Sequence, residues 1–126
     1  MAATIHADIL DQALSYINTS TENLYITDNT AQPTTFTQAS ATYKCGTKAT
    51  PSFTGPAAGD VSGRKITCDA ITDGAINADA TAAYFALTDD SVSKLLVVQA
   101  LSSTQAVTNG NTFSLTAWDV EIPDPA

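Results

Sequence analysis

One histidine, two cysteines and a scatter of acids are the side chains on which chemistry could rest. A catalytic histidine needs a nucleophile and an orienting acid within reach. Asp8 follows His6 by two residues on the same predicted helix, and residues so spaced do not share a face. His6 therefore reads as an exposed helix residue. Cys45 and Cys68 are far from a Cys-x-x-Cys spacing, and with a single histidine they make too few ligands for zinc. Neither has a histidine partner to make it a nucleophile. Both fall at inward positions of predicted strands that could be neighbours. Two readings stay open: free buried thiols, or a mutual or intersubunit disulfide in an oxidising setting.

Asp60, Asp69, Asp73, Asp79, Asp89, Asp90 and Asp119 are spread along the chain, and none sits in a D-x-[DN]-x-[DN]-G calcium loop. Asp89-Asp90 reads as a solvated turn with at most weak calcium affinity. Glu22 and Glu121 form no recognisable acid/base pair with the aspartates. "SGRK" at 62–65 is basic after a Gly-rich stretch but lacks the Gly-Lys-Ser/Thr of a phosphate loop. An ion pair with an acidic neighbouring subunit is the expected use of these charges. Trp118, Tyr25, Tyr43 and Tyr84 could stack on a sugar, but core and interface packing is the plainer reading. The expectation is thus a non-enzyme with no catalytic residue, no cofactor and no metal.

The bulk properties agree. The chain has 126 residues, a formal charge of −8 and a pI near 4.1. Five basic residues cannot form a phosphate-binding stripe, so nucleic acid would be repelled. No run is long enough for a membrane-spanning helix. The opening "MAATIHADILDQ" lacks the basic region and continuous apolar core of a signal peptide, which predicts synthesis in a cytoplasm. Hydrophobic residues make up 44% and charged residues only 14%, too apolar for disorder and too poor in charge for a coiled coil.

The elements that must position these residues follow from periodicity. "TIHADILDQALSYI" (4–17) carries Ile5, Ile9, Leu10, Leu14 and Ile17 on one stripe at helical spacing. Beyond it the pattern is β. "NLYITDN" puts Leu24 and Ile26 on one face, and "ATYKCGTKA" puts Tyr43 and Cys45 together. "TPSFTGPAAGDVSG" (50–63) reads as a long exposed loop. Residues 64–90 hold two or three strands, with "TDGA" (72–75) as a turn. "DDSVS" joins two strands as a hairpin, and Asn109-Gly110 signals another. In "TFSLTAWDVEI" the apolar residues change parity between Leu115 and Trp118, which predicts a bulge near Thr116–Ala117.

The expected fold is mainly β: an antiparallel β-sandwich or small barrel preceded by one N-terminal α-helix. A single domain spans 1–126, with the helix in 1–20, the β-structure in 22–122 and a tail at 123–126. "KLLVVQAL" has apolar side chains on both faces of its strand, so something must cover each. Ile9, Leu10, Leu14 and Ile17 are the candidate interface, either folded back on their own sheet or docked on a neighbour.

One resemblance sharpens this. "ATAAYFALTDDSVSKLLVVQALSSTQAVTNGNTFSLTAWDVEI" (80–122) resembles a family of small virion structural proteins of tailed bacteriophages: an aromatic strand, an "ALTDD"-like turn, a "KLLVVQAL" strand, then "QAV…GNTFSL". The opening helix-then-strand start, "ILDQALSYINTSTENLYITDNTAQPTTFTQASATY", is similar too. The resemblance implies residence in the virion. Within the virion the acidic charge selects a capsid decoration or cement role, with the major capsid protein or other virion proteins as partners, and the two-sided "KLLVVQAL" strand predicts a homo-oligomer such as a trimer. A neck, tail or fibre component is the alternative, and a host-glycan-binding module another. The resemblance carries no catalytic residues. The charge of −8 favours the outer face of a shell over an interior packed with DNA.

Overall fold

The computed structural model describes residues 5–124. The first residue of the expected helix, Thr4, and the last two of the expected tail lie outside that range. The elements run α1 (Ala7–Ser20), β1 (Asn23–Asp28), β2 (Lys44–Ala49), β3 (Phe53–Ala58) and β4 (Arg64–Cys68). Then come β5 (Ile71–Ile76), β6 (Ala80–Asp89), β7 (Lys94–Val107), β8 (Thr112–Leu115) and β9 (Trp118–Ile122). The fold is mainly β, antiparallel in every ladder, with one N-terminal helix, as expected. The chain divides into two compact units, each with its own sheet, rather than one continuous β-region over 22–122.

The smaller unit holds α1 and the three-stranded sheet β3-β4-β9. Alternation along β4 decides its two faces. Ile66 and Cys68 are fully buried, and register places Val120 and Trp118 opposite them. The helix packs on β4 and β3 and contributes Leu10 and Leu14, both buried. Its acid-bearing first turn suits the helix dipole. Residues 50–63 are not the continuous loop expected, because β3 occupies Phe53–Ala58. Pairing with β4 breaks between Thr54 and Ala57, where Gly55-Pro56 intervenes and proline offers no N–H. That proline-glycine content is what made the stretch read as a loop.

The larger unit is a six-stranded sheet in the order β7-β6-β1-β2-β5-β8, curled into a half-barrel. β1 and β6 are central and buried on both faces, which explains their near-continuous apolar runs. Leu24, Ile26, Phe85 and Leu87 share one face by register. Tyr25, Thr27 and Ala86 share the other. A π turn at Gln38–Thr42 packs on β1 and β2, with Ala39 and Pro33 buried beside it.

Two expected turns change character. "TDGA" lies inside β5 and is extended, not turned. Asn109-Gly110 does turn, with Gly110 at φ 91°, but the strands it joins do not pair. β7 and β8 are instead the two opposite edges of the sheet. "DDSVS" forms the expected hairpin between β6 and β7, through a short 3-10 turn at Asp90–Val92 and Ser93 in the left-handed region. The parity change before Trp118 is likewise not a bulge. β8 ends at Leu115 in one sheet and β9 starts at Trp118 in the other, so the chain changes sheets there.

Candidate functional site

The most distinctive concavity lies within the half-barrel. It measures about 410 Å³. Ile26, Ile76 and Ala82 form its floor, from β1, β5 and β6. Leu101, Gln105 and Val107 line it from β7, and Phe113 and Leu115 from β8. Among the described residues no ladder joins β7 to β8, so two strand edges flank one hollow of mixed polarity. Among the described residues no charged side chain lines it.

Local chemistry builds this hollow. Register sets Phe113 opposite Gly74, and a methyl group placed on Gly74 would collide with the Phe113 ring. The glycine therefore lets the aromatic ring lie flat against its neighbouring strand. The 108–111 turn is fixed to the end of β5 by two backbone bonds: Gly110 N–H to the Ile76 carbonyl and Ile76 N–H to the Asn111 carbonyl. Asn109 N–H also donates to the Asp79 carboxylate, at 2.8 Å. The turn is thus held by β5 and its flank, and among the described residues no further strand pairs with the outer edge of β8.

β7 is the other edge, 14 residues long. Leu95, Leu96, Val97 and Val98 are all only half-buried, and Gln99 to Ala106 are exposed apart from Leu101. The two-sided apolar run is therefore incompletely covered on both faces. A long edge strand with a half-buried apolar run is a ready template for another strand.

The acids at the β6–β7 turn are engaged by neighbouring hydroxyls. Tyr25 donates to Asp90 at 2.6 Å, and Thr88 donates to the same carboxylate at 2.6 Å. Burial opposes ionisation of Asp90, but these hydrogen bonds outweigh it and hold the acid below the usual carboxylate range. Burial, and then the Asp90 contact, push the Tyr25 hydroxyl far above its ordinary value. Ser91 bonds to Asp89 and keeps that carboxyl low despite its burial. These bonds fasten β1 to the turn. Among the described residues no group of three or more His, Cys, Asp and Glu side chains could hold a metal.

The basic pair of "SGRK" is satisfied inside the chain rather than reserved for a neighbouring subunit. Arg64 makes a two-pronged contact to Asp11 of α1, with Nε at 2.7 Å and Nη2 at 3.3 Å. Lys65 sits between Asp60 at 2.6 Å and Asp119 at 3.3 Å. Thr67 also donates to Asp119, which these partners hold below its ordinary value. This lattice covers the face of β4 and β9 that points away from Ile66. His6 is exposed and near only Asp8.

Cys45 and Cys68 are both buried and free. They lie on β2 and β4, which belong to different sheets, so they are not on neighbouring strands as expected. Burial pushes each thiol up to about 11. Of the candidate interface residues, Leu10 and Leu14 are consumed by the helix's own sheet and Ile17 is half-buried. Ile9 is 63% exposed and is the one left for a partner. Of the four aromatics, Trp118 stands in the smaller unit and Tyr25, Tyr43 and Tyr84 in the larger, where Tyr25 is buried.

Sequence reading missed the β7–β8 hollow and the Gly74–Phe113 pair. The available signal was a glycine within an otherwise strand-like stretch, which marks close approach by a neighbour as often as a turn.

Compared with protein-family models, with curated proteins and with solved structures, the chain matches none.

Proposed function

We propose that this chain is a structural, non-enzymatic component of a tailed-phage particle, most specifically a decoration or cement protein on the outer shell. The observation that carries the reading is the long edge strand β7, apolar on both faces and only half-buried from Leu95 to Val98. Such a strand suits a protein that works by standing against others. The resemblance of residues 80–122 to phage virion proteins supplies the setting, and the charge of −8 suits an outer surface better than one facing DNA. The major shell protein is the partner in this reading, with several copies of the chain assembled upon it.

Quantitative mass spectrometry of purified particles tests it. A copy number in fixed, high ratio to the major shell protein, with particles weakened when the chain is removed, is the expected result. A few copies per particle would move the protein to the neck or tail. Its absence from particles would overturn the proposal.

A further inference from the structure

We propose that the hollow between β7 and β8 is an acceptor groove for one extended segment of a different protein, which adds a strand to the open half-barrel. The inference stands on the sheet alone and survives if the chain proves not to belong to a particle.

Three observations carry it. First, the sheet order leaves β7 and β8 as its two edges, and both line one cavity. Edge strands present rows of backbone donors and acceptors that only an extended chain can match along their length. Second, the lining is mixed: Ile26, Ile76, Ala82, Leu101, Val107 and Phe113 supply apolar patches between the neutral polar Gln105, Thr108, Asn111, Thr112 and Ser114. An extended segment turns every second side chain to one side, so alternate aliphatic or aromatic residues would fill the hollow. Its volume of about 410 Å³ suits a few such side chains, not a folded domain. The edge offered by β8 is four residues, which at roughly 3.3 Å per residue sets a short footprint.

The third observation is charge, and it selects the occupant. Among the described residues no charged one lines the groove, so a charge pointing inward would be buried unpaired. The inward residues must be neutral. Outside the groove the chain carries −8, and Asp79 stands beside the 108–111 turn. A second copy would bring another −8 against it, whereas a segment flanked by lysine or arginine is attracted. The described chain has no spare segment of its own for the place, since its strands are already in ladders. The occupant is thus a neutral, alternating strand with basic flanks from another protein.

The test uses the full chain and a library of acetylated heptapeptides. Each has Val, Ile, Leu, Phe or Tyr at alternate positions, Thr or Ser between them, and Lys at both ends. Fluorescence anisotropy reads binding up to millimolar peptide, and hydrogen exchange reads protection. The proposal expects saturable binding by a subset, with slowed exchange at 101–107 and 112–115. Backbone N-methylation of the best peptide should weaken it at least about tenfold, the loss of one or more strand hydrogen bonds at about 1.4 kcal/mol per tenfold. Gln105→Trp, at an exposed position lining the groove, should block binding while the thermal melt stays unchanged. Three results would overturn it: no member binding, N-methylated peptide binding equally well, or protection elsewhere. Equal binding would mark a small-molecule pocket. Glu-flanked peptides binding as tightly as Lys-flanked ones would overturn the charge argument and with it the choice of a foreign segment over a second copy.

Discussion

The two sheets of this protein finish their business differently. The three-stranded sheet is closed by its own chain: α1 covers one face with Leu10 and Leu14, and the Lys65–Asp60–Asp119–Thr67 lattice dresses the other. The six-stranded sheet has a buried interior in β1 and β6, but among the described residues no further strand pairs with its edges β7 and β8. The contrast separates stability from availability. Residues of the small unit are engaged in its own packing, while the large unit keeps a half-buried apolar run, Leu95–Val98, on an edge strand that pairs with β6 alone among the described residues.

The largest expected effect tests the closed side. Leu14 is fully buried, so Leu14→Ala should cost about 2–5 kcal/mol in denaturant unfolding. Leu14→Asp, which buries an unpaired charge, should prevent folding of the small unit. The neighbouring Ile9→Asp should fall within about ±0.5 kcal/mol, because Ile9 is 63% exposed. Equal losses at the two positions would show that the helix packs otherwise.

Next in size is the glycine of the open sheet. Gly74→Ala should destabilise by about 1–3 kcal/mol through collision with Phe113. Adding Phe113→Ala should recover part of that loss, and strict additivity of the two changes would break the pairing claim. Thr27 is a smaller case. Its hydroxyl is buried without a hydrogen-bond partner, so Thr27→Val should be neutral or raise stability by up to about 1 kcal/mol. A clear loss would mean that the hydroxyl is bonded after all.

The acid limb of the stability curve sharpens the comparison further. Asp90 in the large unit and Asp119 in the small one are both held below the ordinary carboxylate range when folded. Between the folded and unfolded values the unfolded chain binds more protons, so stability rises with pH there. Their contribution is complete above about pH 4, the unfolded value, and is lost as pH falls through the lower folded values. Asp90→Asn should flatten this slope in melts from pH 5 to 2. Salt should blunt the part due to Asp119 more, because its partner Lys65 is at the surface, 23% exposed. The smallest effect concerns the thiols. Neither Cys45 nor Cys68 should react with a maleimide until denaturant is added, and reduction should leave the melt unchanged.

Much of this was legible in the residues. The helix stripe, the alternation in β4 and the β6–β7 hairpin all follow from local pattern, because local packing and turn chemistry decide them. What failed was decided at a distance. Asp73-Gly74 looks like a turn, yet Gly74 answers to a ring on β8. The parity change near Thr116 was read correctly and explained wrongly, because one sequence cannot say whether a strand bends or changes sheets. Asn109-Gly110 predicts a turn but not which strands pair around it; β5 holds that turn instead. The groove was illegible for the same reason, since it exists only once the sheet order is known.

Hydrogen exchange on the free chain and, under the proposed role, on the chain in purified particles tests the central claim most directly. In the free chain, amides of β1 and β6 should exchange slowly and those along 99–106 and 112–115 quickly. In the particle the β7 and β8 edges should become protected, with little change in α1 and β4. Unchanged exchange at both edges on binding, or protection confined to the helix and its sheet, would contradict the account.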